Sequence, residues 1–283
     1  MPTDPPGPSA ADGGETIKGV DYVEHFGREA AAFETAARAA LDAQPAAAVP
    51  SCPGWRVTNL VLHLGTVHRY VARVIAERLP DPPTEEDLTW LAAPGECAGW
   101  LPPGAVPGDT ALPAALVDWF AVGAADLRAQ FQAAGPDEAV WTWSADHTVG
   151  FWQRMQAIEA AVHRWDVQAA VGVAEPVDAA LAVDAVGQTF EIMAPMRRAL
   201  KHAPPGQGER FGFRRTDGAD YWAIRCDGPN VVRHDGPCDV ELYGTASDLM
   251  LFLWQRLPAG SGSLGTEGDA SVLDRYFVLV PPL

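Results

Sequence analysis

Large apolar residues return every three or four positions over much of the first 175 residues, and that spacing predicts helices. The first runs from about Ile17 to Leu41, where Tyr22, Phe26, Phe33 and Leu41 stand at roughly helical intervals in an alanine-rich background. In the second, Leu60, His63, Leu64, Val67, Val71 and Val74 share one face. A Pro/Gly turn opens that helix, arginines fill much of its other face, and Pro80 closes it. A third helix spans about Thr110 to Ala134, with Leu116, Trp119, Phe120, Leu127 and Phe131 on its apolar side. The fourth, FWQRMQAIEAAVHRWDVQAAVG, stops at Gly172, a glycine of the kind that ends helices. Four long helices with one long crossover predict a helical bundle. The crossover, 80–110, is dense in Pro and Gly, and a loop of that length is often functional, for example as a lid.

After Gly172 the period changes. One more helix is expected near 178–202, kinked or ended by Pro195. FGFRRTDG, YWAIRCDG, NVVRHDG and CDVELYG then read as four short strands separated by Asp-Gly turns. The amphipathic helix ASDLMLFLWQRL follows, and the chain ends in RYFVLVPPL. The fold expected is therefore mainly α with a C-terminal α+β domain, a four-helix bundle followed by a small antiparallel sheet packed with helices. The divisions fall at 1–15, 16–175 and 176–283. Residues 1–15 have too few large apolar groups to offset ordering entropy and read as a disordered tail.

Charge and cysteine content then narrow the function. Twenty Lys+Arg face 37 Asp+Glu, a net charge of −17, with no long basic run. Nucleic acid and anionic membrane surfaces are poor partners for such a chain, because both need cations on the protein. The longest apolar runs, such as Leu249 to Trp254, fall far short of the ~20 residues that span a bilayer. Four cysteines, none in a C-x-x-C pair, point to a reducing, cytoplasmic setting without a disulfide framework.

The chemistry concentrates in EAAVH on the fourth helix. Glu159 and His163, four residues apart, lie on one face and can bind one ion. His63, inward on the second helix among Val61, Leu62 and Leu64, is the best third ligand. A lone inward histidine is more often a satisfied core residue. Two histidines and a glutamate on two helices of one bundle put a metal site on an equal footing with that reading. Three protein ligands leave zinc an open position, as in catalytic sites.

PSCPGWRVTNLVLHL before the second helix, together with EAAVHRWD in the fourth, resembles the mycothiol-dependent maleylpyruvate isomerase family, actinobacterial members of the DinB-like superfamily. DVELYGTASDL and the late EGDA are similar to that family's C-terminal domain, so the resemblance covers most of the chain. It implies a DinB-like bundle with His63, Glu159 and His163 at the zinc-ligand positions and mycothiol as thiol cosubstrate. Zinc would hold the thiol as a metal-bound thiolate near neutral pH, against a free pKa of ~8.5. The thiolate would attack a small electrophile, carboxylated or quinonoid, and either isomerise it cis–trans or remain attached as in a transferase. The alternatives are a zinc hydrolase using metal-bound water and a non-catalytic DinB-fold stress or regulatory binding protein. The partners expected are small molecules, with the chain a monomer or homodimer.

Other residues have two readings each. Asp166 orients a metal ligand or is a helix-surface carboxylate near Arg164. Arg164 holds an anionic group or, like most surface arginines, is solvated. Arg225 and Arg256 could reach the site from the second domain, and some members of the family use an arginine there. Trp55 plugs the bundle end and is a candidate thiol contact. Cys52 is a reactive thiol at a helix entrance or a small buried hydrophobe. His68 is expected exposed and His147 in a loop. Trp90, Trp100, Trp141, Trp143 and Trp152 wall an apolar pocket or cover the core.

Overall fold

The Asp21 carboxylate accepts a hydrogen bond from the Glu24 N–H and so starts the first helix of this computed structural model, which describes residues 19–84, 88–101, 105–108 and 110–282. The tail read at 1–15 lies outside the described residues. The bundle helices are α1 (Tyr22–Ala43), α2 (Val57–Ala76), α3 (Ala114–Ala133) and α4 (Val149–Ala170). Thr148 caps α4 by accepting from the Phe151 N–H. In the bundle α1 packs on α4 and α3, and α2 packs on α3 and α4. Phe26, Phe33, Phe120 and Phe131 fill its centre in edge-on and tilted ring contacts. The 80–110 crossover carries two short 3₁₀ turns, Thr89–Leu91 and Gly95–Trp100.

His68 corrects one expectation. It lies off the face of His63, as the spacing requires, yet it is fully buried against Phe26 and Phe120. The reason is that α2 is covered by α3 as well as α4, so leaving one apolar face of this helix does not lead to water.

Beyond the bundle come α5 (Ala179–Gln188), one π-helical turn (Thr189–Met193) and α6 (Ala194–Leu200). Pro195 therefore neither ends the helix nor breaks it. The wide turn precedes the ring, and Pro195 falls in the first turn of α6, where a missing N–H costs least. The strands are β1 (Gly206–Arg215), β2 (Tyr221–Gly228), β3 (Asn230–Arg233), β4 (Val240–Gly244) and β5 (Gly265–Gly268), in the order β3-β2-β1-β4-β5. Between β4 and β5 lies α7 (Ala246–Leu253), and α8 (Ala270–Asp274) and α9 (Tyr276–Leu279) follow.

The sheet is mixed, not wholly antiparallel. Three pairings are antiparallel, but β1 and β4 run parallel from Phe211↔Val240 to Arg215↔Gly244. The Asp-Gly at 235–236 thus belongs to a crossover and not to a hairpin. Asp239 fixes that register, accepting from the Arg210 N–H at 2.8 Å and pairing with its guanidinium. One face of the sheet buries Phe211 and Phe213 against Tyr276 and, for Phe213, Phe190 of the π-helical turn. α7 packs on α5, β1 and β4, and Arg256 just after it bonds Asp166 of α4. No helix among the described residues is long and apolar enough to cross a membrane.

Candidate metal centre

His63 stands on α2 and Glu159 and His163 on α4, one turn apart on the same face. Each offers one ligand atom, and these atoms lie within 4.8 Å of one another. His63 Nε2 is 3.3 Å from Glu159 Oε1, and the two imidazoles meet edge-on with ring centroids 5.1 Å apart. Two imidazoles and a carboxylate are a borderline donor set that suits zinc. Donors sharing one tetrahedral ion at ~2.0–2.2 Å lie ~3.4 Å apart, a spacing the His63–Glu159 pair already has and the rest of the group reaches by a small side-chain adjustment. The residues present therefore fit a divalent ion.

Two of the three ligand candidates are held from behind. His163 Nδ1 donates to Asp166 Oδ2 at 2.9 Å, which leaves Nε2 as the free ligand atom of that ring. Gln156 Nε2 donates to Glu159 Oε2 at 2.8 Å. Asp166 is fully buried. It also accepts from Ser51 Oγ at 2.5 Å and from Arg256, through Nε at 3.0 Å and Nη2 at 2.8 Å.

Backbone geometry brings these groups in. The loop at 49–55 closes on itself, Val49 N–H to the Trp55 carbonyl and Trp55 N–H to the Cys52 carbonyl, with Gly54 at φ +84°, a conformation glycine adopts freely. That turn sets Ser51 and Cys52 against Asp166 and the Trp55 ring 5.4 Å from the ring of His63. Arg256 arrives from the end of α7. There Arg256 N–H bonds the Leu251 carbonyl and Gln255 N–H the Phe252 carbonyl, a Schellman closure with Gln255 at φ +59°.

The electrostatics follow from burial and pairing. Burial alone would raise the Glu159 carboxyl. The hydrogen bond and charge of His63, the charge of His163 and the Gln156 amide outweigh it and bring the group down to about 2. Burial likewise opposes ionisation of Asp166, and His163 and Arg256 overcome it, holding the carboxyl well below the usual range. Burial lowers His163, against the pull of Asp166. The Cys52 thiol is pushed up by burial first and by the Asp166 charge second. Its sulfur lies 3.5 Å from Arg256 Nη2, but an acidified nucleophile is not what this environment makes.

Several candidates are thereby sorted. Arg256 comes from beyond the bundle and reaches Asp166, behind the cluster. Arg225 pairs with Asp227 on its own strand at 2.7 Å. Arg164 is neither solvated nor at the cluster. Its buried guanidinium bonds Glu29, Gln168 and the carbonyls of Glu175 and Pro176, tying the chain after α4 back to α4 and α1. His147 is exposed. Trp141, Trp143 and Trp152 line a cavity of about 470 Å³ that Glu159 and Gln156 also line. Trp90 instead packs under Arg73. Ser51 and Gln156 were not legible as site residues, since nothing about a serine or glutamine in sequence marks what it will touch. A larger cleft of about 790 Å³ lies between α4, α5 and β2 and includes no member of the cluster.

Comparison with known proteins gives the context. Family models described as the mycothiol maleylpyruvate isomerase N-terminal domain and the MDMPI C-terminal domain match residues 26–168 and 180–275. Curated protein sequences give no match. Two crystal structures titled mycothiol-dependent maleylpyruvate isomerase, one of them a point mutant, superpose with TM-scores of 0.57 and, for the mutant, 0.60. Identity is 13% and 12% respectively, and in both cases 87% of this chain and 92% of the other are covered. At that identity the superpositions speak for the fold. The match to both halves of the family description is of a different kind, and by it this chain belongs to the mycothiol maleylpyruvate isomerase family.

Proposed function

We propose that this protein is a metal-dependent enzyme that uses a low-molecular-weight thiol, mycothiol, to add to or isomerise a small electrophile. The observation that carries the reading is the convergence of His63, Glu159 and His163 within 4.8 Å on two bundle helices, beside a cavity that Glu159 lines. A divalent ion held there, zinc by its donor set, supplies the positive charge that ionises a thiol of free pKa ~8.5 at neutral pH.

The chain's own residues do the rest. Asp166 accepts from His163 and keeps the ring's other nitrogen aimed at the cluster, while Arg256 and Ser51 hold Asp166 in place. Gln156 fixes the Glu159 carboxylate. Tryptophans and methionines of the cavity keep water from the electrophile. For an isomerase, the sulfur adds to a conjugated double bond, the resulting single bond rotates, and elimination returns the thiol. For a transferase the adduct is the product, and the family name and the neighbours' titles favour isomerisation. On this reading the bundle up to about residue 175 carries the chemistry and the remainder supplies Arg256. The protein works in the cytoplasm as a monomer or homodimer.

The test is elemental analysis of the purified protein and of His163→Ala, with mycothiol titrated into each by calorimetry. About one divalent ion per chain is expected in the wild type, and both metal and thiol binding should be lost in the variant. A wild type without stoichiometric metal sinks the proposal, and turnover that needs no thiol moves the site to hydrolysis.

A further inference from the structure

The cavity of about 470 Å³ beside the cluster falls within the usual size of a ligand site, and its walls are mainly apolar. Trp141, Trp143 and Trp152 supply flat aromatic surface, and Met155, Met193 and Met196 supply soft, adaptable surface. No lysine, arginine or histidine is among the lining residues, and the one charged group there is Glu159.

The arginines on the helices that wall the cavity are all committed elsewhere. On α2, Arg69 stacks on Trp119 and bonds its carbonyl, while Arg73 stacks on Trp90 and bonds Glu77. On α4, Arg154 is held by Asp184 and Glu191. On α6, Arg197 stacks on Trp254 and bonds the Leu253 carbonyl, and Arg198 bonds the carbonyls of Pro204, Gly228, Pro229 and Leu279. A carboxylate on a ligand would enter this cavity without a cationic side chain to meet it, and the two charges of a divalent ion at the cluster would already be balanced by the Glu159 carboxylate and a bound thiolate. Burying a charge in that way is unfavourable, whereas an uncharged ring loses only water.

We infer that the electrophile this chain accepts is an uncharged, apolar, aromatic-sized molecule and not a dicarboxylate. This rests on the proposed thiol chemistry for its meaning as substrate specificity, but the selectivity belongs to the walls. Of the carboxylated and quinonoid electrophiles that the sequence resemblance implies, it excludes the first.

A matched pair of probes tests it: methyl 1-naphthoate and 1-naphthoate, the same rings without and with charge, each measured by equilibrium dialysis against the purified protein in saturating mycothiol. The ester should bind at least tenfold more tightly. Met196→Arg, at a half-buried wall position, should weaken that preference by placing a cation in the cavity. Carboxylate binding equal to or tighter than that of the ester overturns the inference, as does a wild type that binds neither. A Met196→Arg protein with unchanged preference also overturns it, because the probes then sit elsewhere. Should that variant not fold, Trp143→Ala replaces it: lost ester binding supports the inference and unchanged binding overturns it. Mycothiol-dependent turnover is measured on the same preparation. Its absence with the ester preference intact faults the thiol reading alone, and its presence with a preference for carboxylate faults only the specificity.

Discussion

Asp166 accepts from His163, Ser51 and Arg256 at once, and it does so with no exposure to solvent. Its charge therefore orients one ligand candidate and neutralises a largely buried guanidinium. Asp166→Asn should weaken metal binding by about 10–100-fold, read by competition with a chelating dye. The same change should lower stability by about 3 kcal/mol in urea unfolding, because Arg256 loses its counter-charge. The sequence showed Asp166 three residues from His163 but also beside Arg164, and it is Arg256, 90 positions away, that pairs with it. His68 makes the opposite point. Neither of its ring nitrogens finds a hydrogen-bond partner among the described residues, and burial pushes its pKa down to about 3. In the unfolded chain the value is ~6.5, so between those pH values the unfolded state binds a proton that the folded state refuses. The stability is fully present above pH ~6.5 and is lost on acidification, at up to ~1.4 kcal/mol per pH unit. His68→Leu should remove that component. Between pH 7 and pH 5 the wild type should lose about 2 kcal/mol more than the variant, measured by urea unfolding at both values.

At the scale of elements, the four bundle helices were readable because a 3.6-residue apolar period is a local property of the chain. All four lie within a few residues of their expected ends. The sheet was less so. β5, Gly-Thr-Glu-Gly, has no alternation to read, and the parallel β1–β4 pairing depends on Asp239 meeting Arg210 after a crossover. The end of α7 shows local strain beside the cluster: Gln255 holds the left-handed conformation that glycine adopts more cheaply, and it does so immediately before Arg256. Gln255→Gly should raise stability by up to ~1 kcal/mol, seen as a higher thermal midpoint, with metal content unchanged. A loss of metal in that variant would mean that Gln255 contributes more than backbone geometry.

Across the whole molecule, the cluster joins α2 to α4 and Arg256 joins the chain after α7 to both α4 and the 49–55 turn. An ion bound there stabilises the folded chain by mass action, about 2.7 kcal/mol at 100 times its dissociation constant. For a chain of this size the thermal midpoint should rise by about 5 °C or more with added zinc and fall back with a chelator. His163→Ala should show neither change. The net charge of −17 gives no long-range help to an anionic substrate, which agrees with a cavity that has no cationic wall.

What the sequence determined by itself was local and periodic: helical faces, the Glu159–His163 spacing, the inward side of His63 and the Pro-Ser-Cys-Pro-Gly-Trp turn ahead of α2. These depend on backbone repeats that hold before anything packs. What only the tertiary structure decided was which distant partner each charged group meets. It set Arg256 and not Arg225 or Arg164 beside Asp166, buried His68, ran β4 parallel to β1, and turned every arginine of α2, α4 and α6 away from the tryptophan–methionine cavity. The physical reason is that a long side chain's partner is set by which surfaces are brought together, and residues far apart in the chain carry no spacing that announces it.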